Sequence, residues 1–425
     1  MKAKTGLIFA SYPLLERSGG PSTYLYNLKK GFSKIGIDDI FIESLVSDHE
    51  KGTKSNLNTI KTRRVFKEKI KYLSYNNFPR LTLNLLIRKN KKHYRTNSKK
   101  FWNIYDELSE KYDIKFIHFH STIDLYSWLL KAEKDVPLVL TSHSPEASHH
   151  ELTKDFQKRV IEKLSIKSSS KDIILEIFSE YFERIDEIAF ENADYLMFPC
   201  EEALEPYFNS WSKFEQLIDR KNIFFVPTGT SPLSYKIDRQ SFRKMYNIPE
   251  KAFVASYVGR HVEVKGYDLL CESAEHVWKK NPNVYFLIAG KEEPLKGLKD
   301  NRWIEVGWTN DPGSVINASD VFVLPNRNTF FDLVLLEVLS LGKPALVSYT
   351  GGNKFVSKQS EGIITFESLT GRSLADKILQ LSICEQEFFE KLGKSNYELY
   401  NSFYTVEAFA KRYREKVGTI FFAQD

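Results

Sequence analysis

The sequence has few cysteines and no apolar run long enough to cross a membrane. Cys200, Cys271 and Cys384 lie far apart in 425 residues, which argues against a disulfide framework or a zinc cluster and fits a reducing compartment. No run approaches the roughly 18 apolar residues that span a bilayer. The first residues superficially look like a signal peptide, but their apolar run is brief and soon meets Pro13. A first strand is predicted there instead.

Motifs that would define several other enzyme classes are also missing. The sequence contains no P-loop and no G-x-G-x-x-G after an apolar run, so neither ATP hydrolysis nor a dinucleotide oxidoreductase is favoured. It also lacks an Asp-x-Asp pair that could hold a divalent cation. We therefore predict no metal and no cofactor.

Positive charge is concentrated in one segment. Residues 61–100 carry fourteen Lys or Arg against one acid, a local net charge of +13, whereas the whole chain has +6, so the remainder is near −7. Aromatic and aliphatic residues alternate with these cations, which favours an amphipathic element on an anionic membrane surface. The alternative is a solvated basic face over a small local core. Nucleic acid is not an expected partner because no nucleic-acid motif accompanies the charge. We expect a cytoplasmic protein, peripheral at the inner face of the plasma membrane.

The chain is too long for one core and alternates short apolar runs with helical patterns, which predicts an α/β protein of two domains with parallel sheets. The runs predicted as strands are 5–10, 40–45, 114–119, 137–141, 195–198, 223–226, 253–258, 284–289, 304–307, 321–324, 345–348 and 362–366. Helices are predicted over 155–192, 333–344 and 405–420, among others. The proposed domains are 1–226, with an insertion at about 46–112, and 227–404, followed by a terminal segment 405–425.

Charged and polar residues follow several of these strands. Gly259-Arg260 ends one strand and Lys265-Gly266 opens the next helix, which suits a diphosphate. The loop 325–332 and the turn Gly351-Gly352 belong to the same edge of the sheet, where ligands of such folds bind. In the first domain, histidines follow two strands and surround one crevice, as hydrogen-bonding or acid/base groups would. Gly19-Gly20 opens a helix either as an anion cradle or as a plain turn.

These landmarks, in this order, resemble a GT-B glycosyltransferase of the retaining group called family 4, within glycosyltransferase group 1. The landmarks are Gly19-Gly20, His118, His143, Gly259-Arg260, Lys265-Gly266, Gly290, Glu337 and Gly351-Gly352. They cover most of the chain except the insertion. The resemblance implies two Rossmann-like domains facing a cleft, an acceptor-binding first domain, a nucleotide-sugar-binding second domain, and a last helix that crosses back to the first.

The resemblance also implies roles for individual residues. Arg260 and Lys265 would neutralise the donor pyrophosphate, Glu337 would hydrogen-bond the ribose, and His143 would lie beside the transferred sugar. The residues expected to be catalytic are His143, Arg260 and Lys265. Those expected to bind the donor are Gly19, Gly20, Arg260, Lys265, Gly290, Thr329, Asp332, Leu333, Val334 and Glu337. Those expected to bind the acceptor are His118, His120 and Glu146.

One departure from the family pattern concerns the donor sugar. The family has a glutamate eight positions before Glu337 and a glycine three positions after that glutamate, whereas this chain has Thr329 and Asp332. Either the donor differs, for example a deoxysugar with fewer hydroxyls, or this copy is impaired. The first interpretation is preferred because Arg260, Lys265 and Glu337 are all present.

The expected function is transfer, with retention, of a hexose or deoxyhexose from a nucleotide diphosphate sugar. A UDP-sugar is the first choice and GDP- or dTDP-sugars are alternatives. The acceptor is expected to be a membrane-associated, lipid-linked glycan in surface polysaccharide or glycoconjugate biosynthesis. The alternatives are a protein O-glycosyltransferase and a non-catalytic GT-B subunit that partners an active transferase. The oligomeric state is not predicted.

Overall fold

The computed structural model describes residues 2–16, 20–46, 71–131, 136–144 and 146–423. It contains two parallel sheets of six strands each, with strand orders β2-β1-β3-β4-β5-β6 and β12-β11-β10-β7-β8-β9. The strands are β1 Ala3–Ala10, β2 Ile40–Ser44, β3 Tyr112–Phe119, β4 Leu138–Leu140, β5 Tyr195–Phe198, β6 Asn222–Phe225, β7 Phe253–Val258, β8 Val284–Ala289, β9 Trp303–Gly307, β10 Val321–Leu324, β11 Ala345–Ser348 and β12 Ile363–Phe366. The predicted α/β fold is confirmed, and each predicted strand lies within two residues of its observed bounds.

Helices separate most consecutive strands, but none lies in residues 290–302 between β8 and β9. Those of the first half are α1 Gly20–Ile35, α2 Pro79–Lys111, α3 Thr122–Leu129, α4 Ser148–Phe156, α5 Ser168–Asn192, α6 Glu205–Ser210 and α7 Phe214–Ile218. Those of the second half are α8 Arg239–Met245, α9 Tyr267–Trp278, α10 Pro312–Asn317, α11 Leu333–Ser340, α12 Gly352–Ser357, α13 Gly371–Leu381, α14 Gln386–Leu399 and α15 Val406–Val417. Short 3-10 turns occupy Glu201–Leu204 and Glu263–Lys265, and π-helical turns occupy Gln157–Glu162, Tyr400–Tyr404 and Gly418–Phe422.

Both sheets are buried on their two faces, as parallel sheets require. Alternate residues of β1 enter different apolar clusters: Leu7 contributes to one and Ile8 to the other. In β10, Val323 and Phe322 divide in the same way. Continuous apolar runs are therefore needed in both strands, and this is why the sequence pattern located them.

The strand orders fix where a ligand can bind. In the first sheet β1 lies between β2 and β3, and in the second β7 lies between β8 and β10. The connections after β1 and β7 therefore begin on one side of the strand, and later connections continue on its other side. The strand order thus reverses beside β1 in the first sheet and beside β7 in the second. Such switch points leave a crevice beyond the carboxyl ends of the strands. In the second sheet that crevice is bordered by the loops that follow β7 and β10.

Two predicted helices needed correction. The helical prediction over 155–192 needs one refinement, a break between Glu162 and Ser168, where Ser165 takes a left-handed backbone conformation with φ 51°. The helix predicted over 333–344 ends earlier, at Ser340, because Gly342 also has a positive φ and the following strand begins at Ala345.

The described part of the insertion, from residue 71 onward, forms a helical layer with a core of its own. Leu83 and Tyr94 of α2 pack with Phe178 and Phe182 of α5 in a cluster separate from the sheet. The described part of the basic segment begins at residue 71, and residues 47–70 lie outside the described residues. The local core that the sequence left as an alternative is therefore present beneath the basic face.

The last helix returns to the first domain. Phe409 and Tyr413 of α15 are fully buried in the cluster beneath β1. Gly31 of α1 allows this contact, because a Cβ there would lie 2.2 Å from the carbonyl oxygen of Val406. The crossing predicted from the resemblance is confirmed, whereas the exact domain boundaries stay predictions.

Candidate active site

The loop after β7 carries the two predicted cations. Lys265 ends the short 3-10 turn, and Gly266 then adopts φ +64°. A Cβ on Gly266 would lie 1.8 Å from the carbonyl oxygen of Pro325, so glycine is required for the close approach of this loop to the one after β10. Because β7 and β10 are neighbours, the predicted diphosphate-binding residues border the switch point of the second sheet.

The two cations differ in their surroundings. Lys265 Nζ donates to Asp332 Oδ1 at 2.6 Å, and the two side chains are 23% and 17% exposed. Asn326 Nδ2 donates to the other oxygen of the same carboxylate. Arg260 is exposed and its guanidinium forms no ion pair with any residue in the described ranges, although its carbonyl oxygen accepts from Tyr257 Oη at 2.7 Å. The pairing of Asp332 with Lys265 was not predicted.

Thr329 is buried rather than open to the crevice. Its side chain is 1% exposed, and its Oγ1 lies 3.4 Å from Thr350 Oγ1. Its carbonyl oxygen accepts from Gly352 N at 3.2 Å. Gly351 has φ +44°, and a Cβ there would lie 1.9 Å from that carbonyl. The Gly-Gly turn after β11 therefore fixes the backbone of residue 329, while a sugar contact by its hydroxyl stays a prediction.

The remaining predicted donor residues lie at the same edge. Gly290 ends β8 with φ +153°, and a Cβ there would lie 1.9 Å from the carbonyl oxygen of Gly259. Leu333, Val334 and Glu337 are partly buried along α11, whose N-terminus follows Asp332. The structure therefore brings these predicted donor residues to the crevice edge of one sheet. Their roles stay predictions.

Two histidines of the first domain form a hydrogen-bonded pair. His120 Nδ1 and His143 Nε2 are 2.8 Å apart, and Tyr24 packs its ring edge against His143. Burial lowers the pKa of His143 to about 3 and moves the pKa of His120 well below its ordinary value. Both rings are therefore neutral at physiological pH. His143 can offer a neutral donor or acceptor to a sugar hydroxyl, but it cannot serve as an imidazolium acid.

His118 is engaged within the protein. Thr141 Oγ1 donates its one proton to the carbonyl oxygen of Met197 at 2.9 Å, so it accepts from His118 Nε2 at the same distance. His118 Nδ1 then accepts from Tyr413 Oη at 2.9 Å. The side chain is fully buried and links the first sheet to α15. The predicted acceptor contact stays a prediction, and this geometry supplies a structural role beside it.

The other first-domain predictions occupy varied positions. His120 is 2% exposed, and its Nε2 has no hydrogen-bond partner in the described parts of the chain. Glu146 is buried and accepts from Lys154 Nζ. Gly20 opens α1 with open space around it, whereas Gly19 lies outside the described residues. Their predicted roles stay untested.

The sequence did not reveal which residues join the two domains. Phe330, in the loop after β10, is 9% exposed and belongs to the first-domain cluster. Its ring lies 5.8 Å from His143 and 5.9 Å from Phe198. Glu205 of α6 accepts from Lys354 Nζ at 2.5 Å, which ties α12 to the first domain. The donor loop thus contacts the predicted sugar-side histidine directly, a contact that no motif signals.

Together these elements define a cleft whose two sides differ chemically. The first-domain side presents the partly buried, neutral imidazole of His143, packed against aromatic rings. The second-domain side presents the Lys265–Asp332 pair at the N-terminus of α11, and Arg260 is exposed in the loop after β7. Cations beside a helix N-terminus stabilise a leaving diphosphate. Two parallel α/β domains with such a cleft define the GT-B class of architecture.

Comparisons with known proteins agree with that class. Residues 252–383 match the family described as glycosyl transferases group 1. The structure is similar to sucrose-phosphate synthase from Thermosynechococcus elongatus, with a TM-score of 0.61 and 17% identity over 100% of both chains. It is also similar to HepE from Anabaena in complex with UDP-glucose, with a TM-score of 0.59 and 14% identity over 98% of this chain and 99% of that one. The resemblance to GT-B glycosyltransferases of group 1 is confirmed.

Curated relatives align over part of the chain. The UDP-Gal:alpha-D-GlcNAc-diphosphoundecaprenol alpha-1,3-galactosyltransferase of Escherichia coli is 29% identical over 191 residues, which cover 39% of this chain and 49% of that protein. The capsular polysaccharide biosynthesis glycosyltransferase CapM of Staphylococcus aureus is 26% identical over 170 residues, 37% of this chain and 44% of that protein. The chain thus spans about half the length of the relatives it matches.

Proposed function

We propose that the protein transfers a hexose or deoxyhexose from a nucleotide diphosphate sugar to a lipid-linked glycan acceptor at a membrane surface. The observation that carries this proposal is the position of Arg260 and Lys265 in the loop at the switch point of the second sheet, where Lys265 reaches Asp332 at the N-terminus of α11. The names of the relatives support it, since one uses UDP-Gal and a diphosphoundecaprenol-linked acceptor. UDP is therefore the first donor nucleotide to test, with GDP and dTDP as alternatives.

The proposed chemistry follows from the charges in the cleft. The bond between the sugar C1 and the diphosphate oxygen breaks, and the electron pair leaves with the nucleoside diphosphate. Arg260 and Lys265 stabilise this growing charge, which is the largest contribution that such a site can make. The acceptor hydroxyl attacks the same face of C1, and its proton passes to the departing diphosphate oxygen, which retains the configuration. Neutral His143 orients the sugar by a hydrogen bond.

A basic face on α2 supports a membrane-held acceptor. The nine Lys and Arg side chains between residues 71 and 100 are all exposed, and none forms an ion pair with another described residue. Phe78, Leu81 and Leu85 lie on the same exposed side, where the ring of Phe78 is 63% exposed. Cations beside exposed apolar groups suit an anionic lipid surface, each cation contributing about 1 kcal/mol. No helix in the described ranges is both long and apolar enough to span a bilayer. The exposed cations and apolar side chains support the proposed localisation, which is the inner face of the plasma membrane, as a peripheral protein.

Vesicle sedimentation tests this surface. We expect the protein to bind phosphatidylcholine vesicles that contain phosphatidylglycerol, and not pure phosphatidylcholine. Reversing Arg88, Lys92 and Arg95 to Glu should abolish most binding, because at least about 3 kcal/mol of attraction is lost. The matched control reverses three exposed cations of the second domain, Lys279→Glu, Lys296→Glu and Lys299→Glu, and should bind as wild type does. Equal binding by both triple variants would contradict the proposal.

A transfer assay tests the reaction itself. Nucleotide sugars are incubated with the protein and undecaprenyl-diphosphate-linked acceptors, the released nucleoside diphosphate is quantified, and the anomeric configuration of the product is read by NMR. We expect release from one nucleotide family, and a loss of about a hundredfold or more in kcat/KM for Arg260→Ala. Failure to release diphosphate from any donor would overturn the proposal. Transfer to a protein acceptor would replace the lipid-linked acceptor by the protein O-glycosyltransferase alternative.

A second candidate is a non-catalytic GT-B subunit that partners an active transferase. Two observations favour it. Thr329 carries no charge and is buried, and Lys265 is already paired with the carboxylate of Asp332. Under this function the protein would form a stable complex with a transferase and bind no nucleotide sugar. Size-exclusion chromatography of the complex, combined with nucleotide titration of the isolated protein, separates the two candidates.

A further inference from the structure

The carboxylate of Asp332 has an unusual position for a residue at the start of a helix. Asp332 is the N-cap residue of α11, yet its side chain makes no capping hydrogen bond to the helix. Its two oxygens accept instead from Lys265 and Asn326. An aspartate at this position ordinarily stabilises a helix by accepting from the backbone N–H groups of the first turn. In this structure the Asp332 carboxylate makes no such capping bond and pairs instead with Lys265, in the loop after β7.

The environment around this carboxylate is suited to an anion. Lys265 supplies an ammonium group, Asn326 supplies an amide donor, and the first turn of α11 begins at Asp332 with its N–H groups directed toward this end of the helix. Lys265 and the N-terminus of α11 are also part of the proposed site for the donor diphosphate. A bound diphosphate and the Asp332 carboxylate therefore compete for Lys265. If both remained there, two anions would share one cation at a cost in affinity.

Arg260, in the same loop as Lys265, differs from it in having no paired carboxylate in the part of the chain that the structure describes. It is exposed and has no acidic partner within the described residues, so it can meet an incoming diphosphate without breaking a bond. Arg327, in the loop after β10, is paired with Asp268. The carboxylate of Asp332 thus neutralises one of the two proposed diphosphate cations and leaves the other available.

We propose that Asp332 is an internal anion that occupies Lys265 until the diphosphate of the donor displaces it, and that this residue sets the affinity for nucleoside diphosphates. The inference rests on the proposed function and deepens it. Displacing the carboxylate costs the same free energy for every ligand that binds through Lys265. Asp332 therefore lowers the affinity for the nucleoside diphosphate, which favours product release after transfer.

Isothermal titration of the full-length protein with UDP, GDP, dTDP and the matching monophosphates tests this role. In Asp332→Asn the side chain keeps its size and loses its charge, so we expect the dissociation constant for the preferred diphosphate to fall about tenfold, or about 1.4 kcal/mol. Asp332→Gly, which restores the glycine of the resembled family, should also bind more tightly. Monophosphate binding through Lys265 should improve by the same factor, because displacing Asp332 costs every such ligand the same free energy.

Three further variants locate the effect at Lys265. Lys265→Ala should weaken diphosphate binding, and Asp332→Asn should give no gain in the Lys265→Ala background. Asp268→Asn removes one negative charge from the neighbouring ion pair with Arg327 without freeing Lys265, so its affinity should change by less than about twofold. Thermal unfolding of each variant identifies any that fails to fold. The double-variant comparison needs only the folded proteins.

The outcomes separate this inference from the proposed function. Tighter binding by both Asp332 variants that depends on Lys265 supports it. Unchanged or weaker binding by Asp332→Asn, with wild-type binding that still depends on Lys265, overturns it and assigns the carboxylate to the sugar instead, while the donor site stands. An equal gain in Asp268→Asn would also overturn it, since general charge would then explain the effect. If no variant binds any nucleotide, the proposed function fails and this inference fails with it.

Discussion

Phe330 allows a quantitative test of how the two domains are held together. This ring follows β10 in the second domain but is 9% exposed within the core of the first, beside Phe198 and His143. Burying a phenylalanine contributes about 1.5–3 kcal/mol, and removal from a rigid core costs about 3–5 kcal/mol. The cleft can adjust when the ring is lost, because only one loop carries it. We therefore expect Phe330→Ala to reduce the free energy of unfolding by about 2–3 kcal/mol.

Urea unfolding followed by tryptophan fluorescence and by far-ultraviolet circular dichroism measures this change. Each domain contains tryptophans, so loss of coupling between the domains should separate their transitions. The matched control is Phe388→Ala, whose ring is 41% exposed on α14, and its effect should stay within about 0.5 kcal/mol. If Phe330→Ala unfolds at the wild-type urea concentration with one shared transition, the ring does not join the domains and the reasoning is refuted.

Three other predictions follow from the same contacts. Gly266→Ala should destabilise by about 1–3 kcal/mol because of its positive φ and its contact with the neighbouring loop, whereas Gly20→Ala, which has open space, should stay within about 0.5 kcal/mol by thermal unfolding. Burial lowers the pKa of each of the three strand-end histidines, so the stabilisation from keeping them neutral is complete above pH 6.5 and is lost as pH falls below it. Asp124 acts in the opposite direction, because burial raises its pKa to about 6 and its contribution is lost as pH rises through 6. Since three histidines outweigh one carboxyl group, the melting temperature should be lower at pH 5 than at pH 7.5. An unchanged melting temperature would contradict this prediction. Tyr413→Phe leaves a buried ring nitrogen unpaired and should cost about 1–3 kcal/mol, while the exposed Tyr397→Phe should cost almost nothing by the same measurement.

The sequence predicted the strands well because both sheets are parallel and buried on two faces. Each strand then needs a short, continuous apolar run, which is visible without any tertiary information. Helix ends were harder to predict. The break after Glu162 depends on a left-handed residue, Ser165, whose type is not specific for that conformation. Local composition therefore located the elements, while their ends depended on the backbone conformation of single residues.

The sequence predicted those parts of the candidate site that lie directly after strands. Arg260, Lys265 and Gly290 could be assigned to one crevice because their strands are parallel, and parallel strands end at one edge. The ion pair between Lys265 and Asp332 could not be predicted, since 67 residues separate them and the loops meet only through Gly266 and Pro325. The entry of Phe330 into the first domain was unpredictable for the same reason. Pairings across loops require the packed structure.

The measurement that tests the central claim most directly is a thermal-shift screen of UDP, GDP, dTDP and their sugars on the wild-type protein and on Lys265→Ala. A ligand that binds only the folded state raises the melting temperature through mass action. The account predicts a rise with one nucleotide family and the loss of most of that rise in Lys265→Ala. No rise with any nucleotide, or an equal rise in both proteins, would contradict a donor site at this edge of the second sheet.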